Sequence, residues 1–357
     1  MKHQAIQNKH ILYRSTIILT IVFILISCEP LTTASPEATT AQIAELTQAT
    51  PFPPLTLFQS PILNPLDTPH TYIQDSCIYL INRWNRLNAA PGTVVMIVAF
   101  NNEDVFYDFG QIMEQLHNQG FKAIDTQHFL TFMERNGRIP PRSVLIIQDN
   151  SNSTENFDKK FREYWDLWNW PVVGGWVSDP HMPPPLWEEN VALEMEGWVD
   201  HQAQGVIPGT VLSDDSSKVV ISRELKGSIT AFANRYAKNP LAFIWPGGGF
   251  GQRPVEAARQ LGYQLGFTSN SRGPVMYNWV PLADEFDPER PTYLAEGYIR
   301  DPLMTIPRYS QDQILDAIDK VRVTGNEAVE FARKNRDAEF KYYEAVCEPI
   351  YGPMPTP

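Results

Sequence analysis

The sequence predicts an α/β barrel of about seven parallel strands, formed by a single domain of about 275 residues. Apolar runs of strand length alternate with amphipathic helical patterns, which implies parallel strands joined by right-handed crossover helices. The clearest strand is the apolar run Val144–Ile147, which follows Pro140-Pro141 and ends in polar residues at 148–150. So short an apolar run is typical of a strand buried on both faces. No Gly-rich phosphate loop follows a predicted strand, and this favours a barrel over a doubly wound sheet.

The elements alternate along the chain from residue 94 onwards. The predicted strands are Val94–Phe100, Lys122–Ile124, Val144–Gln148, Val172–Trp176, Val199–Gln202, Ala242–Trp245 and Leu265–Thr268. The predicted helices are Phe106–Gln119, Thr126–Asn136, Glu155–Leu167, Leu186–Glu196, Ser217–Ala237, Pro254–Leu261 and Gln311–Lys334. Because the carboxyl ends of parallel strands meet at one edge, we expect functional side chains there, beginning with Gln148, Asp149 and Asn150.

Residues 1–28 have the pattern of an export signal. A basic start precedes the apolar run Ile17–Ile26, which is too short to span a bilayer well. The ending Leu25-Ile26-Ser27-Cys28 resembles the bacterial lipobox, in which the cysteine is lipidated and becomes the first mature residue. We therefore expect an exported protein, lipid-anchored through Cys28 to the extracytoplasmic face of a bacterial membrane. An uncleaved signal anchor and ordinary signal cleavage are the alternatives.

Composition divides the remaining chain into three parts. Residues 29–75 are rich in Pro, Thr and Ser, which predicts a disordered tether, because such a segment buries too little surface to offset its ordering entropy. Residues 76–348 carry the predicted barrel, and residues 349–357 form a carboxyl-terminal tail. Cys77 and Cys347 lie near the two ends of the barrel. An even number of cysteines in an exported chain favours a disulfide, which would stabilise the fold by about 5 kcal/mol in the chain-entropy model. Two separate buried thiols are the alternative.

The chain is acidic, with a formal net charge of −12 at pH 7. A charge of this sign argues against nucleic acid and against an anionic membrane surface as partners. Neutral or basic sugars are compatible with it.

Five segments of the predicted barrel read FKAI, IPPRSVLI, AFIWPGG, AARQLGYQLGFT and DPLMTIPR, at residues 121–124, 139–146, 242–248, 257–268 and 301–308. In this order and spacing they resemble polysaccharide deacetylases of carbohydrate esterase family 4, also called the NodB homology domain. The resemblance covers about Thr93 to Arg308. It implies a distorted (β/α) barrel of the glycoside hydrolase/deacetylase type and descent from an N-deacetylase of polysaccharide.

The resemblance also implies a metal-dependent site. Family members hold a divalent metal, usually zinc, with one Asp and two His placed four residues apart, and the metal acidifies a bound water. A second Asp beside the metal-binding Asp acts as general base, and a late His protonates the leaving amine. Asp149 matches the metal position here, but Gln148 stands at the base position. An amide can orient a water but cannot take its proton at neutral pH.

The histidine pair is missing from the matching segment, Gly197–Gly205. One register places His201 on the first ligand position and Gly205 on the second, and a register shifted by three places Gln204 first and Pro208 second. No histidine follows His201, so the position of the late acid also lacks its residue. These departures predict a protein without catalytic activity and without a cofactor, and with zinc only if the chain is active. If any metal binds, Asp149 and His201 are the candidate ligands.

Two tryptophans at strand ends, Trp176 and Trp245, are candidate substrate contacts together with Asn150, because aromatic faces stack on sugar rings. Ordinary core packing is the alternative for both indoles. For Asp149 the alternative is a relic that caps the following turn, and for His201 it is a buried strand histidine.

Two functional hypotheses from different classes follow. The first is a membrane-anchored, catalytically inactive deacetylase-like lipoprotein that binds a glycan, such as polysaccharide or peptidoglycan, or an envelope partner. The second is a metal-dependent N-deacetylase that hydrolyses the acetamide C–N bond of such glycans with an altered metal site. A purely structural or partner-binding role is the third alternative.

Overall fold

The computed structural model describes residues 52–101, 109–149, 152–288 and 294–355. Its strands are β1 (Asp67–His70), β2 (Val94–Phe100), β3 (Lys122–Ala123), β4 (Arg142–Gln148), β5 (Val172–Trp176), β6 (Val199–Ala203), β7 (Ala242–Ile244), β8 (Leu265–Phe267), β9 (Val280–Ala283) and β10 (Tyr309–Ser310). Its helices are α1 (Ser76–Trp84), α2 (Phe109–Asn118), α3 (Thr126–Arg135), α4 (Thr154–Lys160), α5 (Arg162–Trp168), α6 (Pro184–Glu196), α7 (Lys218–Arg235), α8 (Gln252–Gln260), α9 (Gln311–Tyr342) and α10 (Glu348–Tyr351).

The central sheet is parallel. Its strands follow the order β10-β2-β4-β5-β6-β7-β8, with β3 paired to β4 outside that path. Ile306 pairs with Phe267 of β8, and Tyr309 of β10 pairs with Val98 of β2. Segment 306–310 therefore contacts both edges of the curled sheet. The prediction of an α/β barrel built from parallel strands is confirmed.

Alternate residues of the strands face two different apolar layers. In β4, Leu145 and Ile147 pack in a cluster with residues of β5, β7 and β8, which is the interior of the curled sheet. Val144 and Ile146 pack on the other face, in a cluster with residues of α2 and α9. Both faces of β4 are buried, as its unbroken apolar run predicts. The position of a residue in this alternation decides whether its side chain faces the interior or the helices.

The predicted helices are present, with two differences in their extents, while α1 and α10 were not predicted. The helix predicted over residues 155–167 is divided into α4 and α5, which meet at Phe161. The last long helix continues past its predicted end at Lys334 to Tyr342. The predicted start of another helix, Phe106, lies outside the described residues. No helix in the described part of the chain is long and apolar enough to cross a membrane.

Residues 52–75 belong to the folded body. Strand β1 pairs antiparallel with β9, and Phe58 packs against Trp279, whose indole Nε1 donates to the Phe58 carbonyl oxygen at 2.9 Å. The expected boundary at residue 75 therefore has to move towards the amino terminus. The few aromatic residues of this segment find partners that its average composition does not reveal. Residues 29–51 of the predicted tether, and the signal segment with Cys28, lie outside the described residues.

The two ends of the folded body are linked covalently. A disulfide joins Cys77 in α1 to Cys347, which directly precedes α10, with an S–S distance of 2.06 Å. Both cysteines are buried together with Leu80. The first residues of the expected carboxyl-terminal tail belong to α10, and the Tyr351 hydroxyl donates to Asp75 Oδ2 at 2.7 Å.

Candidate functional site

Asp149 lies directly after β4, at the centre of a polar cluster at the carboxyl ends of the strands. Its backbone N–H donates to the carbonyl oxygen of Phe100 at 2.7 Å, which holds it beside the end of β2. Its carboxylate Oδ1 accepts hydrogen bonds from Arg308 Nη1 at 2.5 Å and from Gln204 Nε2 at 3.3 Å. Residues that are far apart in the sequence therefore meet at one carboxylate oxygen.

Arg308 is the cation of this cluster. Its side chain is 4% exposed and that of Asp149 is 15% exposed, so the ion pair is largely shielded from water. Arg308 Nε also donates to the carbonyl oxygen of Thr268 at 2.6 Å, just beyond the end of β8. The backbone N–H of Arg308 donates to the carbonyl oxygen of Asn270 at 3.0 Å. The guanidinium is thus held by the backbone of the neighbouring segment as well as by Asp149.

Gln148, at the position where the resemblance predicts a general base, is fully buried. It has the same place in the strand alternation as Val144 and Ile146, which face the helices. Its side-chain Nε2 donates to the carbonyl oxygen of Asp149 at 3.2 Å. The base position is therefore occupied by an amide that is bonded to the backbone, and an amide cannot accept a proton from water at neutral pH.

Gln204, rather than His201, reaches Asp149. The two residues lie three positions apart on β6 and its continuation, so their side chains leave opposite faces of the strand. Gly175 in the neighbouring strand β5 leaves room for the glutamine, because a Cβ at Gly175 would lie 2.5 Å from Gln204 Oε1. Of the two registers considered from the sequence, the one shifted by three residues fits this geometry.

His201 is enclosed on the opposite face of β6. Its Nδ1 lies 2.8 Å from Glu194 Oε2, and its Nε2 lies 3.1 Å from Asn190 Oδ1. The ring also stacks on Tyr236, with centroids 5.0 Å apart. Burial lowers the pKa of His201, and the neighbouring Glu194 carboxylate opposes this effect. Both ring nitrogens are engaged inside the protein, so the predicted role as a metal ligand does not fit, and the alternative of a buried strand histidine does.

Trp176 and Trp245 are both 0% exposed. Trp176 packs against Trp187, with ring centroids 4.5 Å apart, and Trp245 Nε1 donates to the carbonyl oxygen of Met304 at 2.8 Å. Neither indole presents a face to solvent, so the expected stacking on a sugar does not fit, and core packing accounts for both. Asn150, the third predicted substrate contact, lies outside the described residues.

No protein-family model matches the sequence, and a search of curated proteins finds no match either. Solved structures do match. The chain is similar in fold to polysaccharide deacetylases, at low sequence identity. The deacetylase PplD of Streptococcus pyogenes, solved in complex with acetate, gives a TM-score of 0.47 at 14% identity over 62% of this chain and 93% of that chain. IcaB of Ammonifex degensii gives 0.48 at 12% identity over 66% and 100%. The polysaccharide deacetylase BC0361 of Bacillus cereus gives 0.46 at 13% identity over 63% and 69%.

The residues at the strand ends do not fit a zinc ion. Among the described residues, no group of three or more His, Cys, Asp and Glu side chains could hold a metal. The cluster supplies one carboxylate, from Asp149, and one amide, from Gln204, whereas catalytic zinc sites use three protein ligands that are mostly histidine nitrogens and carboxylates. The Arg308 guanidinium already pairs with this carboxylate, with Nη1 2.5 Å from Asp149 Oδ1. The described residues of the cluster therefore supply no ligand set for metal-assisted hydrolysis.

Arg308 is the site residue that sequence analysis does not identify. It ends one of the segments that carry the family resemblance, but no local pattern pairs it with a carboxylate 159 residues away. The position of Arg308 in the predicted barrel is the signal that could have indicated it. The last barrel segment returns to the edge of the sheet, and a buried arginine there needs a partner.

Proposed function

We propose that this chain is an exported, lipid-anchored protein whose deacetylase-like barrel binds a glycan, or an envelope partner, without hydrolysing it. The observation that carries the proposal is the shielded ion pair between Asp149 and Arg308. In this proposal the arginine has taken the place of the metal as the partner of the strand-end carboxylate.

The ion pair opposes metal binding for an electrostatic reason. Arginine stays protonated at all ordinary pH values, and a divalent cation at Asp149 would have to displace a guanidinium that is nearly fully buried. Removing one partner from a buried ion pair costs about 3–5 kcal/mol, because the other charge is left uncompensated. Zinc at Asp149 would therefore have few protein ligands, and its binding would leave the buried charge of the guanidinium unpaired.

The glycan part of the proposal has two supports. Five segments of the chain resemble polysaccharide deacetylases, and the net charge of −12 suits neutral or basic sugars. Export and lipid anchoring are supported by the signal pattern of residues 1–28 and by the position of Cys28 within it.

Acetate release tests the catalytic part of the proposal. The full chain is incubated with chitooligosaccharides in the presence and absence of zinc, with Asp149→Ala as the matched variant. We expect no acetate above a protein-free blank from either protein, while the unmodified chain binds glycans on an array. Zinc-dependent acetate release that disappears in Asp149→Ala would instead establish the alternative, a metal-dependent N-deacetylase with an altered site.

Palmitate labelling and globomycin treatment of cells test the anchor. We expect the chain to incorporate palmitate, and its processing to stop when globomycin blocks the lipoprotein signal peptidase. A Cys28→Ala chain that is processed and held in the membrane as before would contradict the lipid anchor.

A further inference from the structure

Another polar concavity lies between α8 and segment 297–301. It has a volume of about 870 Å³, within the range of small-molecule sites. Neither Asp149 nor Gln204 nor Arg308 lines it. We call it the α8 groove, and its functional side chains are Gln252, Glu256, Arg259, Asp284, Tyr298 and Arg300.

One wall of the α8 groove is fixed by a bidentate ion pair. Arg259 Nε and Nη2 donate to the two carboxylate oxygens of Asp301, each at 2.7 Å. Arg259 Nη1 also donates to the carbonyl oxygen of Gln264 at 2.8 Å. Such a fork holds both planar groups in one orientation. A ligand that meets them therefore does not have to order them first.

Another part of the lining is fixed at Asp284. Its carboxylate accepts a hydrogen bond from the Thr68 hydroxyl at 2.6 Å and lies 3.0 Å from His70 Nε2. The turn 296–299 lies directly on this carboxylate, because a Cβ at Gly297 would be 2.2 Å from Asp284 Oδ1. The groove is thus formed by elements that hold one another in place.

Tyr298 is the aromatic side chain of the α8 groove, and it is 64% exposed. The turn that carries Tyr298 is anchored by residues before and after it in the chain. Glu296 is fully buried and lies 3.3 Å from Arg272 Nη2, and Ile299 is buried in the core. Arg300, which follows the turn, has a left-handed backbone with φ of 57°. The backbone that carries this exposed aromatic ring is therefore fixed beside the carboxylate, amide and guanidinium groups of the groove.

We propose that the α8 groove binds a neutral or cationic oligosaccharide, with a sugar ring stacked on Tyr298. The apolar CH face of a pyranose fits an aromatic ring, and its hydroxyl groups both donate and accept, so they match the carboxylate, amide and guanidinium groups of the walls. The groove is lined by three carboxylates and two guanidinium groups, those of Glu256, Asp284, Asp301, Arg259 and Arg300. This leaves one negative charge and disfavours acidic polysaccharides. This site rests on the proposed glycan-binding function and gives it a location outside the strand-end cluster.

Calorimetric titration of the full chain with the hexamer of N-acetylglucosamine tests the site. We expect Tyr298→Ala to weaken binding at least tenfold, and Tyr298→Phe, which keeps the ring, to bind within about twofold of the unmodified chain. Tyr351→Ala is the matched control, because Tyr351 is 43% exposed on α10 and does not line the groove. The hexamer of glucosamine should bind at least as well, and a hexamer of galacturonic acid should not bind.

The outcomes separate this site from the proposed function. If Tyr298→Ala binds like the unmodified chain while Arg308→Met loses binding, the sugar lies at the strand ends; the α8 groove is then refuted and the proposed function stands. If acetate is released while Tyr298→Ala still loses binding, the groove stands and the non-catalytic function is refuted. If the unmodified chain binds neither amino-sugar hexamer, or binds the galacturonic acid hexamer equally well, the groove proposal is refuted.

Discussion

Three variants, Arg308→Met, Asp149→Asn and the double variant, distinguish two explanations for Asp149. Either its carboxylate forms an ion pair that stabilises the fold, or it is retained to bind a metal. Arg308→Met removes the charge but keeps an unbranched side chain of similar length. It leaves Asp149 with the Gln204 amide, and the 15% exposure of the aspartate lets water compensate in part. We expect a loss of about 2 kcal/mol in the free energy of unfolding, below the range of about 3–5 kcal/mol for a fully buried pair, because of this compensation.

Asp149→Asn should cost more, because the charge that it leaves behind is the better buried of the two. Arg308 is 4% exposed, and among the described residues its side chain would keep the Thr268 carbonyl but lose its charged acceptor. We expect a loss of about 4 kcal/mol, which corresponds to roughly 8–16 °C in Tm for a domain of this size. The double variant contains no charge at this place and should lose about 3 kcal/mol, so the coupling energy is about 3 kcal/mol.

Urea unfolding followed by tryptophan fluorescence measures all four proteins. Arg333→Met is the matched control, because Arg333 pairs with Glu330 at 2.7 Å but both side chains are solvent-exposed. It should leave the midpoint unchanged. Single-variant effects that add within about 0.5 kcal/mol would refute the reasoning, because additivity means that the two charges do not interact. A double variant less stable than Asp149→Asn would also contradict it.

The remaining predictions concern His201, Glu296 and the disulfide. His201→Gln should lower the free energy of unfolding by about 1–3 kcal/mol, by disturbing the partners Glu194 and Asn190, without changing metal content; metal loss at unchanged stability would contradict its structural role. Burial raises the pKa of Glu296 from 4.5 to about 7, so its stabilising contribution is complete below about pH 4.5 and is lost as pH rises through 7. Urea unfolding at pH 5 and pH 8 should show this loss of about 3 kcal/mol in the free energy of unfolding, and Glu296→Gln should remove it. If Glu296→Gln leaves the pH dependence of stability unchanged, Glu296 is not its source. Cys77→Ser with Cys347→Ser should destabilise the fold by about 5 kcal/mol in the chain-entropy model, and free thiols from these two cysteines in unreduced, denatured protein would show that no bridge forms.

The barrel could be predicted because its signals are local. The apolar run of β4 is buried on both faces, and each predicted strand is present within two residues of its expected bounds. The amino-terminal boundary could not be placed, because the partners of Phe58 and of strand β1 lie more than two hundred residues away. A composition average weights the many Pro and Thr residues of this segment above its few anchoring side chains.

The sequence indicated where the candidate site lies, but not which residues form it. Strand ends indicated Asp149, whereas its partner Arg308 is set by the return of the chain to the sheet edge. The tryptophans were misjudged because strand-end position alone does not fix the face of the sheet. Trp176 shares the face of Val172, which packs on the helix side, so the alternation of the strand places it in the core.

Zinc titration of the metal-free full chain is the most direct measurement of the central claim, that Arg308 has replaced the metal as the partner of Asp149. The account predicts no stoichiometric binding by calorimetry and no zinc retained after dialysis. One zinc per chain, lost in Asp149→Ala and kept in His201→Gln, would contradict it.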